Sequence, residues 1–197
     1  MNAIDKFRIA PHLYSLKEIK EYYDYSIQAI NCEYSTSNLH YEEKFFGWTE
    51  KEIEDEAESV KKELSHVCSM CVMAYIESLF RIDSYVRNKH KYKGELTKKI
   101  KALLVNKKSI PLVRFEDLID VWKQFYPDEV ELFHKIRSCF KFRHWIAHGR
   151  YWKLDDNIDV HFDFADVFIL AQSVETILGN ELRTQDAIGE PRKVMTI

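Results

Sequence analysis

The chain has 197 residues, 46% of them hydrophobic and 14% aromatic, which is enough for one well-buried core and too little for two. Five glycines and four prolines leave little room for the tight turns of an all-β protein, so helices are favoured. The net charge of −3 conceals a split: residues 42–63 carry nine acids against four lysines, 81–108 carry ten Lys/Arg against two acids, and 135–153 carry six Lys/Arg and no acid. The two basic segments form a candidate footprint for a polyanion, and the plain alternative is a set of solvated helix faces.

Residues 1–14 lack the cationic-then-apolar pattern of a signal peptide, and no apolar run approaches the length of a bilayer. The chain therefore reads as soluble and cytoplasmic, with no membrane partner. Ser15 with Glu18 three residues on is a capping box that opens a first helix to about Ile30. Residues 31–49 read as irregular. Thr49 then caps a long helix to about Asn88, with Glu50, Glu52 and Glu54 suited to its dipole. Its expected apolar stripe is Leu64, Val67, Cys68, Cys71, Tyr75, Leu79, Ile82 and Val86. Cys32, Cys68, Cys71 and Cys139 form no second CxxC pair and read as reduced and structural, with Cys68 and Cys71 a buried pair.

A third helix is expected over Glu95–Asn106 and a fourth over Phe115–Phe125, stopped by Tyr126-Pro127. A fifth starts from Asp128 as N-cap, buries Leu132, Phe133, Ile136, Cys139, Phe140 and Ala147, and is closed by Gly149. Arg150–Leu154 and Ile158–Phe162 alternate around Asp155-Asp156-Asn157, the pattern of a short β-hairpin. Asp163 caps a last helix to Leu178. The expectation is an all-α, up-and-down helical bundle with a long central helix and a hairpin near 150–162. One domain spans 1–180, followed by a flexible tail over 181–197.

The chemistry concentrates at the end of the fifth helix, where Arg143, His144, His148 and Arg150 surround Gly149. Arginine keeps its charge near neutral pH while histidine exchanges a proton there, so together they can hold a phosphate and move a proton on it. At about 100° per residue, His144 and His148 share a face, whereas Arg143 and His148 lie about 140° apart. Either a distorted helix end or an Arg143 from a second copy must bring arginine and histidine to one phosphate.

Arg143-x4-His148, with polar His144 after the arginine and Gly149 after the histidine, resembles the R-x(4–6)-H signature of HEPN domains. The resemblance covers about residues 50–180, but its specific part is some six residues. It implies an all-α bundle that commonly forms homodimers, and a metal-independent endoribonuclease, such as a toxin or phage-defence factor, without cofactor. His148 would then be general base or acid toward the RNA 2′-hydroxyl or the leaving oxygen, Arg143 would stabilise the phosphate, and His144 would orient it or shuttle a proton. Arg150 and Lys141 would bind neighbouring phosphates, Tyr151 would stack on a base, and Glu77 on the long helix would support the site. An antitoxin or a nucleotidyltransferase is the implied protein partner. The tyrosine that partner-regulated members carry two places after the histidine is replaced here by Arg150, with Tyr151 one place later.

Other readings of the same residues stand beside this one. A catalytically silent module of the same family would bind RNA, a nucleotide or a protein. Arg143 would serve structure alone by pairing with Glu77 or Asp83, and His148 by meeting the helix dipole. His144-x3-His148 also has zinc-ligand spacing, with His161, Asp159 or Glu77 to complete it, but Trp145 stands where a metalloprotease needs glutamate. The preferred reading needs no metal.

Overall fold

The computed structural model describes residues 14–90, 92–105, 110–150, 153 and 162–187. All regular structure among them is helical: α1 (Leu16–Glu33), α2 (Tyr41–Lys44), α3 (Glu50–Lys89), α4 (Glu95–Val105), α5 (Phe115–Phe125), α6 (Val130–Ala147) and α7 (Phe164–Ala187). Both expected capping boxes form. The Ser15 N–H donates to Glu18 Oε2 at 2.7 Å, and Glu18 N–H donates to Ser15 Oγ at 3.2 Å. Thr49 and Glu52 repeat the arrangement at 2.7 and 3.3 Å, which fixes where α3 begins.

At 40 residues, α3 is about 60 Å long and is the spine of the bundle. Its buried residues include Cys68, Val72, Met73, Ile76, Phe80, Ser84 and Arg87. Of the expected stripe only Cys68 is buried. Val67 is 53% exposed, Cys71 is exposed, and Leu64, Tyr75, Leu79, Ile82 and Val86 are half-buried. The buried arc is displaced by about one residue, roughly 100° around the helix. Neighbours on several sides account for this, because their contacts favour small polar groups that the hydropathy pattern discounts. Ser65 Oγ accepts the Phe164 N–H at 2.8 Å, while buried Ser84 satisfies its hydroxyl within α3 by donating to the Phe80 carbonyl at 2.8 Å. All four cysteines are free, as expected, but Cys32 and Cys71 are exposed. Burial pushes the Cys68 thiol up to about 11, which keeps it protonated and inert.

α5 has the bounds the sequence implies. α6 starts later than expected, at Val130, because Pro127–Glu129 form a 3₁₀ turn and Asp128 sits inside that turn instead of capping. α6 buries Phe133, Ile136, Cys139 and Phe142, with Leu132 and Phe140 half-buried; Ala147 is exposed because it sits in the last turn of the helix. Asp163 Oδ1 accepts the Asp166 N–H at 2.9 Å at the start of α7. α7 continues to Ala187, nine residues past the expected end, so the tail expected from 181 begins inside a helix. The good helix formers after Gly179 (Glu181, Leu182, Arg183, Gln185) carry the helix past that residue. Most of the expected hairpin, 151–152 and 154–161, lies outside the described residues. Arg150 itself is in a left-handed turn at φ 58°, not in a strand.

The core is one contiguous cluster from Leu16 to Leu178. It encloses a charged pair: Arg87 Nε donates to Asp83 Oδ2 at 2.7 Å, with side-chain exposures of 0% and 4%. The Arg87 guanidinium also lies 5.4 Å from the centre of the buried Trp122 ring, and Nη1 reaches Thr97 Oγ1 at 3.4 Å. Truncating one partner strands a buried charge. Asp83→Ala is expected to cost about 3–5 kcal/mol in urea unfolding, and Asp83→Leu combined with Arg87→Met to recover most of that loss.

Candidate functional site

The C-terminal end of α6 is regular up to its last turn. The His148 N–H donates to the His144 carbonyl at 3.1 Å, so α-helical spacing holds through the histidine. Gly149 then turns left-handed at φ 78°, its N–H donating to Ile146 O at 3.0 Å, and Arg150 N–H reaches back to Trp145 O at 3.0 Å. These two bonds are a Schellman closure with Gly149 at the position the sequence suggested. The helix end is therefore not distorted ahead of the glycine. On regular helical spacing Arg143 and His148 of one chain diverge by about 140°, and Arg143 is turned toward α3.

Arg143 points toward α3. Its Nη1 lies 3.5 Å from Glu77 Oε2, its guanidinium is 5.6 Å from the Phe140 ring centre, and its side chain is 37% exposed. The other oxygen of Glu77 is held by Arg81, whose Nε and Nη2 approach Oε1 at 2.8 and 2.7 Å. Arg81 is anchored in turn: its Nη1 donates to the carbonyls of Ile110 and Val113 at 2.9 and 3.2 Å. Glu77 is thus aimed at Arg143 by a second arginine while binding it only at long range. Nothing in the basic run 81–108 distinguished Arg81, since the carbonyls that anchor it lie 29 and 32 residues away.

His144 and His148 are both exposed, and their ring centres are 4.2 Å apart, as four-residue spacing requires. Lys141 is exposed on the preceding turn, and Tyr151 lies outside the described residues. Among the described residues no group of three or more His, Cys, Asp or Glu side chains is arranged to hold a metal ion. Asp159 and His161 lie outside those residues, and Glu77 is engaged by two arginines. Asp83, the other acid considered for Arg143, is committed to Arg87. No helix of the described residues is long and apolar enough to cross a membrane.

Arg150 is engaged with a carboxylate of α3. Its Nη1 and Nη2 grip Glu63 Oε1 and Oε2 at 2.6 and 2.7 Å, its Nη2 lies 3.3 Å from His66 Nδ1, and its guanidinium is 5.8 Å from the Trp145 ring centre. Glu63 and His66 were not singled out by the sequence. The signal available was periodicity: Glu63 and Glu77 are fourteen residues apart, nearly four turns, and so share one face of α3. The Arg150 fork holds the Glu63 carboxyl below the ordinary glutamate range. Burial, reinforced by Arg150, pushes the His66 imidazole down and favours its neutral form. Its ring meets Phe142 edge-on at 5.5 Å.

Comparison of the chain with protein families, curated proteins and solved structures finds no match.

A carboxyl whose pKa is lowered by folding stabilises the fold above its unfolded pKa, and that contribution is lost as pH falls through the folded value. Glu63 is 53% exposed, so solvent screening limits its pair with Arg150 to about 1 kcal/mol or less. The urea midpoint of Glu63→Gln is expected to lie slightly below that of the native protein at pH 7. The gap should begin to narrow in the ordinary glutamate range and close only as pH falls through the lower folded value, where both proteins carry a neutral side chain at this position.

Proposed function

We propose that the end of α6 is the phosphate-binding and proton-transfer centre of a metal-independent endoribonuclease of HEPN type. The observation that carries this reading is the state of Arg143. It is a partly exposed guanidinium, oriented by the Arg81–Glu77 pair yet bonded to Glu77 only at 3.5 Å, on the same helix end as two exposed imidazoles. A guanidinium held in this way keeps donors for an arriving phosphate.

RNA supplies its own nucleophile. Removal of the 2′-hydroxyl proton by a base lets O2′ bond to the adjacent phosphorus. The P–O5′ bond breaks, a proton passes to the leaving O5′, and a 2′,3′-cyclic phosphate remains. His148 is the base or the acid in this scheme, and His144, one turn back on the same face, is its proton relay or a phosphate ligand. Arg143 stabilises the charge that builds on the phosphate oxygens. The 140° divergence on one regular helix supports a site made by two copies, with Arg143 of one protomer facing His148 of its partner. A toxin or phage-defence factor restrained by a protein antitoxin is the biological setting that suits such an activity.

Purified protein incubated with single-stranded RNA in EDTA should cleave it, and Arg143→Ala and His148→Ala should each lower the rate on the order of 100-fold or more. Equal cleavage by native and His148→Ala protein removes the assignment. RNA binding without cleavage, unchanged in His148→Ala and steeply salt-dependent, identifies the catalytically silent module instead.

A further inference from the structure

We infer that the Arg150–Glu63 pair is a positioning latch for His148, and that Arg150 is not a phosphate ligand. Arg150 occupies the left-handed region at φ 58°, a conformation that a residue with a Cβ keeps only where its surroundings impose it. Here they do so from both ends of the residue. The backbone N–H of Arg150 closes the helix onto Trp145 O at 3.0 Å, while its side chain makes two near-parallel bonds of 2.6 and 2.7 Å to Glu63. A bidentate fork is directional, so it fixes the orientation of the turn as well as its distance from α3. Trp145 and His66 enclose the guanidinium on further sides.

His148 stands two residues before Arg150, and its backbone belongs to the same closure. Its own N–H is bonded to His144 O, and the turn that follows it stays in place unless the fork or the Schellman bonds break. Glu63 and Glu77 project from one rigid helix, about 21 Å apart along its axis, and each meets one arginine of the α6 end. The two contacts differ in kind. Arg143 is held loosely at 3.5 Å and is partly exposed, as a ligand for an incoming anion should be. Arg150 is held tightly in a fork, as a positioning residue should be.

The kinetic consequence rests on the proposed nuclease activity; the structural one does not. The test uses Arg150→Gly, in which glycine accepts the positive φ while the fork is lost, and Glu63→Gln, which keeps the shape of the side chain without its charge. Lys17→Ala, on α1 away from the latch, is the control. Three readings are taken: kcat and KM for RNA cleavage, the urea midpoint, and the imidazole NMR resonance of His148. Positioning predicts that both latch variants shift the His148 resonance and lower kcat on the order of 10- to 100-fold, with KM changed less than about threefold. The urea midpoint of Arg150→Gly should stay near the native value, and Lys17→Ala should change nothing. A raised KM with native kcat makes Arg150 a substrate ligand and overturns the inference, as does a His148 resonance unmoved in both latch variants. If the native protein cleaves no RNA but the resonance shifts in both, the nuclease reading fails and the latch stands.

Discussion

A helix of forty residues cannot satisfy its apolar surface against one neighbour, and the whole bundle is arranged around that requirement for α3. α1 and α7 lie along it, with Tyr75 donating to Glu175 at 2.5 Å between α3 and α7. The 3₁₀ turn at Ile110–Leu112 is tied to it by Arg81, and α6 crosses it through Phe142 and the two carboxylate–arginine contacts. Because α3 is contacted from several directions, its buried face includes serines and an Arg–Asp pair that a single amphipathic stripe would exclude.

The same requirement places the candidate site. Glu63 and Glu77 share one face of α3, and α6 approaches that face with Arg143 and Arg150. One acid then closes the end of α6 and the other orients a guanidinium near it. An isolated α6 would present Arg143, His144 and His148 on a fraying terminus. Packed on α3, they stand on a closed helix end with defined directions. The arrangement also separates two arginines that look equivalent in sequence, because what distinguishes them is the distance and number of bonds to a carboxylate on another helix.

Local signals in the sequence were reliable where the physics was local. Ser15/Glu18 and Thr49/Glu52 cap helices because their partners are three residues away, and Gly149 closes α6 because only the backbone needs satisfying there. Errors arose where a distant partner or a longer-range preference decided. Val67 and Cys71 were expected inside but face outward, since the direction of the core depends on where α1, α6 and α7 lie. The last helix is expected to end at Leu178, yet helix formers beyond that point carry α7 to Ala187. Asp128 was read as a cap, and the 3₁₀ turn of Pro127–Glu129 took its place.

The sequence by itself determined an all-α bundle with a long spine, the bounds of α5, and a cluster of Arg143, His144 and His148 at a glycine-closed helix end. These follow from spacing and capping, which act over a few residues. Only the tertiary structure decided the roles within that cluster. Glu63, His66 and Arg81 lie 62 to 87 residues from the arginines and histidines they serve, a separation that spacing and capping, acting over a few residues, do not bridge. Packing α6 on α3 brought those charges within a few ångströms, and at that range the number and geometry of hydrogen bonds separates a ligand from a latch.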